Sequence, residues 1–158
     1  MTPQVSITRR LEFDAGHRIP SHGGQCRNLH GHRYQLEITL SGEVLHRSGA
    51  SDDGMILDFG DIKSLAQEHL VSKWDHAFLI YRGDTALLNF LNSMEGHKTV
   101  VLEDIPTVEN LAQAAFGILA PVFRDCFGHH LYLSRLVLYE TPNCWAEVNM
   151  PSATRVQD

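Results

Sequence analysis

The chain has 158 residues, 43% hydrophobic and 20% charged, ordinary figures for a globular protein and enough for one domain over 1–158 with a buried core. A formal net charge of −6, with 10 histidines taken as neutral, argues against a general nucleic-acid surface, which needs a basic footprint. No apolar run is long enough to span a bilayer, MTPQVSITRR carries no apolar signal core, and Cys26, Cys126 and Cys144 suggest no disulfide framework, so a cytoplasmic chain with reduced thiols is expected.

The first predicted strand is Val5–Phe13, where Val5, Ile7, Leu11 and Phe13 share one parity and Arg9 is the exception. RIPSHGGQCRN (18–28) reads as a loop. The second strand covers about His32–Gly42, with Tyr34, Leu36, Ile38 and Leu40 alternating with polar residues. A turn-rich break at 47–54 precedes an amphipathic helix carrying Ile62, Leu65, Ala66, His69 and Leu70 on one face. Residues 82–104 suggest a short helix around TALLNFLNS and then an extended KTVVLE. A second long helix starts at PTVENLAQAAFGIL, with Thr107 as N-cap and Glu109 in the first turn, and Pro121 is expected to end or kink it. LYLSRLVLYE and CWAEVNM pair as a hairpin across TPN. The order is ββ-α-α-ββ around a short insertion, an α+β fold with an antiparallel four-stranded sheet.

Four histidines and a cysteine crowd residues 17–32. His30 and His32 are two apart and share the parity of Tyr34 to Leu40; His17 shares the parity of Leu11 and Phe13. If both strands extend that far, three imidazoles converge on one buried face. Three histidines with one open position is the donor set of a catalytic zinc site. Gly31 lets the backbone pass close. Two other readings stand beside this one: hydrogen-bonded core histidines, and a closed structural Cys-His₃ site completed by Cys26. His22 reads as exposed or at the substrate edge; His46, His69, His97, His129 and His130 read as surface or structural.

Cys26 lies beside Arg27 in a glycine-rich loop, and nearby cations favour the thiolate, the reactive form. Asp75-His76 interrupts an apolar segment. An aspartate can fix the tautomer of a proton-shuttling histidine, although neighbours on a strand point apart, so the pairing needs a turn; a plain turn is the other reading. Glu140 ends a strand, either as an exposed end or as a carboxylate aimed at paired N–H groups of a flat heterocycle.

Taken together, FDAGHR, CRNLHGHRY, GMILDFGDIK, WDHAFL, PTVENLA and LYETPNCWAEV resemble, in order and over nearly the whole chain, the 6-pyruvoyl/6-carboxy-tetrahydropterin synthase family of the T-fold superfamily. The stretch between Leu79 and Pro106 is longer than in the most compact members. The resemblance implies helices on one face of the sheet and sheets joining into a barrel, as a homohexamer built from two trimers. It implies Zn²⁺ on His17, His30 and His32, a proton-transfer thiolate at Cys26, a relay at Asp75 and His76, and a pterin anchor at Glu140 with Thr107 and Glu109 near the same end of the pocket. The implied substrate is a small molecule, 7,8-dihydroneopterin triphosphate, with neither nucleic acid nor membrane as partner. The implied activity is a carbon–carbon lyase, 6-carboxy-5,6,7,8-tetrahydropterin synthase of the queuosine route. The 6-pyruvoyl synthase and a non-catalytic zinc-stabilised binding module are the alternatives.

Overall fold

Strands β1 (Val5–His17) and β2 (His30–Gly42), of 13 residues each, pair antiparallel along their whole length, from Val5 opposite Gly42 to His17 opposite His30. The computed structural model that shows this describes residues 3–151. Both strands run past the expected ends, because the alternation that buries Leu11 and Phe13 continues through Ala15 to His17. On β2 the same face carries Tyr34, Leu36, Ile38 and Leu40, all fully buried. Each such side chain contributes about 1.5–3 kcal/mol by leaving water.

Helix α1 (Phe59–Ala66) starts at Asp58, whose carboxylate accepts the Gly60 amide N–H at 2.6 Å. A π-helical turn, Gln67–Val71, carries it into the short α2 (Ser72–Trp74). Ile62, Ala66, Leu70 and Trp74 recur every fourth residue and are buried against the sheet. Then come β3 (Ala77–Tyr81), α3 (Thr85–Asn92), β4 (Thr99–Leu102), α4 (Val108–Phe127), β5 (Leu131–Thr141) and β6 (Cys144–Asn149).

The sheet differs from the expected four antiparallel strands. It has six, in the order β4-β3-β1-β2-β5-β6, and β3 and β4 run parallel to β1. The extra pair is built from the short apolar runs AFLIY and TVVL around α3. Nor do all helices share one face. Ala77 and Leu79 join the main core under α1, α2 and α4, whereas Phe78 and Ile80 pack with Leu87, Leu88 and Leu91 of α3. Side chains alternate along a strand, so α3 covers the opposite face.

Helix α4 does not end at Pro121. Thr107 caps it, with its hydroxyl 3.3 Å from the Asn110 amide, and it continues to Phe127. The buried stripe Leu111, Ala115, Leu119, Phe123 spans the proline. Packing on both sides outweighs the roughly 3 kcal/mol that an interior proline costs.

The expected hairpin of β5 and β6 is present and holds a bulge. Tyr139 faces Trp145 and Thr141 faces Cys144, which leaves Glu140 as the unmatched residue. Bulges re-aim side chains. Leu136 and Leu138 pair with Ile38 and Leu36 on the core face, and Glu140 lies beyond them, where that face reaches the histidines.

Candidate metal centre and active site

The core face of β1 and β2 changes from apolar to imidazole at one end. His17 is 1% exposed, and its ring lies 4.6 Å from that of His30 and 5.1 Å from that of His32, centroid to centroid. The close approach needs glycine. A Cβ at Gly31 would lie 2.9 Å from the Ala15 carbonyl oxygen, and one at Gly16 would lie 2.8 Å from the Phe78 ring.

Hydrogen bonds orient two of the rings. His17 Nδ1–H donates to the Pro106 carbonyl at 2.8 Å, and His30 Nδ1–H donates to the Asn28 carbonyl at 2.6 Å. Both Nε2 atoms then present lone pairs, yet they stand 3.1 Å apart. The Nε2 of His32 is buried without a hydrogen-bond partner. The two lone pairs repel each other, the buried Nε2 of His32 lies close by, and a shared cation would relieve this.

The donor set fits a metal. Among the described residues these histidines form a group whose ligand atoms all lie within 4.8 Å of one another. Tetrahedral zinc at about 2.0–2.1 Å from nitrogen holds its ligand atoms about 3.3 Å apart. Donation of the second ring N–H to a carbonyl is the usual support for a metal-bound histidine. Cys26 is not a member of this group, so the structure lends no support to a closed Cys-His₃ site.

At His17 and His32 the electrostatics favour the neutral imidazole. Burial, reinforced by His30 and His32, lowers the His17 pKa from 6.5 to about 4, although the Pro106 hydrogen bond opposes the shift. Burial also lowers that of His32, against the pull of Glu140. Tyr34, stacked on Phe13 at 5.2 Å, lies with its hydroxyl 3.3 Å from His17 Nδ1, and burial raises its pKa well above the usual phenol value. The Glu140 carboxylate stands 3.7 Å from His32 Nε2 and 3.9 Å from His17 Nε2, beside the nitrogen cluster.

Asp75 and His76 do pair within one chain. Asp75 ends α2 with extended backbone, and His76 has φ 58°, the one non-glycine residue with positive φ among those described. This left-handed turn swings the ring back, so that Nδ1 lies 2.9 Å from the Asp75 carboxylate. Asp14 of β1 holds the turn from the main chain. Its N–H donates to the Asp75 carboxylate at 2.9 Å and its carbonyl accepts the His76 N–H at 2.7 Å. The Asp14 N–H, followed by His76, holds the Asp75 pKa below its ordinary value. His76 and His32 line one open cleft of about 480 Å³ with Asp14, Gly31, Phe78 and His97.

Cys26 lies half-buried in the helical turn Gln25–Arg27, and its carbonyl accepts the Ile19 N–H at 2.8 Å. The Arg27 guanidinium donates to the carbonyls of Gly23 and Gly24. Thr107 uses its hydroxyl as a helix cap, and Glu109 is exposed in the first turn of α4. Sequence reasoning missed the Pro106 and Asn28 carbonyls, because main-chain acceptors carry no residue signature. His97, read as surface or structural, is exposed and borders the cleft.

Comparisons with known proteins show the family. A family model described as 6-pyruvoyl tetrahydropterin synthase matches residues 6–151, and the chain belongs to that family. A protein of Rickettsia bellii named 6-carboxy-5,6,7,8-tetrahydropterin synthase is 38% identical over 144 residues, covering 91% of this chain and 99% of its own. One of the same name from Haemophilus influenzae is 33% identical over 147 residues, covering 89% and 96%. Among solved structures, 6-pyruvoyl tetrahydropterin synthase of Plasmodium vivax superposes with a TM-score of 0.69 at 17% identity, covering 94% of this chain and 100% of its own. An uncharacterized protein from Wolinella succinogenes gives 0.74 at 22% identity, covering 94% and 99%.

Proposed function

We propose that this chain is a zinc-dependent 6-carboxy-5,6,7,8-tetrahydropterin synthase. It would convert 7,8-dihydroneopterin triphosphate and water to 6-carboxytetrahydropterin, acetaldehyde and triphosphate. The observation that carries the reading is the convergence of three Nε2 atoms beside the Glu140 carboxylate, at the end of one sheet face. The Rickettsia and Haemophilus relatives support the 6-carboxy product by name.

In this reading His17, His30 and His32 hold the zinc, which supplies a Lewis acid for the oxygens of the substrate side chain. Glu140 accepts N–H groups of the pterin ring and so sets the side chain's position. Cys26, as thiolate, takes a proton from a side-chain carbon. His76 exchanges a proton with the substrate through Nε2, while Asp75 keeps the other nitrogen protonated. Thr107 and Glu109 lie at the end of α4 next to the Pro106 carbonyl that fixes His17. The 6-pyruvoyl reading, favoured by the names of the family model and the Plasmodium vivax neighbour, uses the same residues and keeps all side-chain carbons.

Strands β4 and β6 are the two edges of the sheet within the chain. We place them at subunit contacts of a hexamer, which would close the sheets into a barrel and bring Cys26 of one subunit to His76 of another. The pathway assigned is queuosine formation, in the cytoplasm; no helix among the described residues is long and apolar enough to cross a membrane. The test is consumption of 7,8-dihydroneopterin triphosphate with release of triphosphate. Zinc-loaded protein should do this and chelated protein should not. Equal turnover by both would refute zinc dependence.

A further inference from the structure

Lys98 lies outside every residue assigned above, yet it reaches the Asp75–His76 turn from the connection between α3 and β4. Its ammonium donates to the Ser72 carbonyl at 2.6 Å and to the Asp75 carbonyl at 2.6 Å. Those are carbonyls of the last turn of α2, which the helix cannot satisfy itself and where its dipole favours a cation. Its own backbone is fixed too, since the Lys98 carbonyl accepts the Phe78 N–H at 3.0 Å. The lysine therefore spans the start of β3 and grips the residue immediately before the left-handed His76.

We propose that Lys98 is a positioning residue that holds the Asp75–His76 turn, and with it the direction in which the His76 ring faces the cleft. Four hydrogen bonds hold that turn: Asp14 supplies two from β1, the Asp75 N–H donates to the Val71 carbonyl at 2.8 Å, and Lys98 holds the Asp75 carbonyl. A non-glycine residue in the left-handed region costs about 1–3 kcal/mol and persists where its surroundings over-determine it. Without Lys98 the Asp75 carbonyl loses its partner and the His76 N–H bond to the Asp14 carbonyl alone orients that peptide, so the Nδ1 contact with the Asp75 carboxylate at 2.9 Å is held less tightly. The grip comes from the stretch between Leu79 and Pro106, so that segment has a task at the site.

The inference rests on Asp75 and His76 as the proton relay, and the experiment separates the two. Zinc-loaded Lys98→Met, Lys98→Arg and His76→Ala are compared with the parent chain. Histidine tautomers are read from long-range ¹H–¹⁵N spectra at about pH 8, above the ordinary imidazole range. The parent should show His76 as the Nδ1–H tautomer, and Lys98→Met should move it toward Nε2–H. The kcat of Lys98→Met should fall about tenfold or more with KM within about twofold, because misplacement of an acid–base group acts on the chemical step. Zinc content should be unchanged, and Lys98→Arg should recover part of both readouts. A wild-type tautomer and kcat in Lys98→Met would overturn the proposal. If His76→Ala turns over normally, the relay reading fails, and the tautomer of Lys98→Met alone decides the positioning role. If Lys98→Met does not fold, Lys98→Gln, which keeps a donor of shorter reach, is read in the same two ways.

Discussion

His17 and His30 bring their Nε2 atoms to 3.1 Å while each gives its Nδ1–H to a main-chain carbonyl. Two neutral imidazoles so oriented meet lone pair to lone pair. The buried, unpartnered Nε2 of His32 lies in the same group. This arrangement makes His32→Ala informative. The variant should fold, since His32 packs at the edge of the core, and should lose most of the one zinc expected per chain. Metal analysis of the purified variant showing undiminished zinc would remove His32 from the ligand set.

Cys26→Ala should keep zinc and fold but lose turnover by about 10²–10⁴-fold, the contribution of a positioned acid–base group. Cys26 is outside the histidine group, so zinc has no need of its sulfur. Loss of metal together with activity would revive the closed structural site.

Much of this was legible in the sequence. The alternation of Tyr34, Leu36, Ile38 and Leu40 gave the buried face of β2, and extending the parity of both strands placed three histidines together. The rest depends on contacts that sequence periodicity does not carry. AFLIY and TVVL are too short and too evenly apolar to reveal parallel pairing. Pro121 reads as a break because its cost is local while its compensation is tertiary. His76 could pair with Asp75 only through a positive φ that no local signal announced. Pro106 and Lys98 act through a carbonyl and a long flexible side chain, from parts of the chain remote in sequence.

Glu140→Gln should weaken binding of a pterin analogue by about 1–3 kcal/mol, because an acceptor becomes a donor facing ring N–H groups. Zinc should stay, since Glu140 is not a member of the histidine group. Calorimetric titration giving the parent affinity would return Glu140 to a purely structural role at the bulge.

The metal-free chain should be sensitive to acid in a defined window. The folded pKa of His17 is lowered from 6.5 to about 4, so between those values the unfolded chain binds more protons than the folded one. Stability therefore rises with pH from about 4 to 6.5 and is lost as pH falls through that range; above it this group contributes no slope. Urea midpoints of the chelated protein should follow this course, and His17→Gln should flatten it. Identical slopes in the two proteins would show that His17 is not the group responsible.

The most direct measurement is the mass of the product formed from 7,8-dihydroneopterin triphosphate by the zinc-loaded chain. The account expects 6-carboxytetrahydropterin, with acetaldehyde and triphosphate released in equal amounts. A 6-pyruvoyl product with no acetaldehyde would contradict the assignment, and recovery of intact substrate from metal-replete, folded protein would contradict the enzyme reading itself.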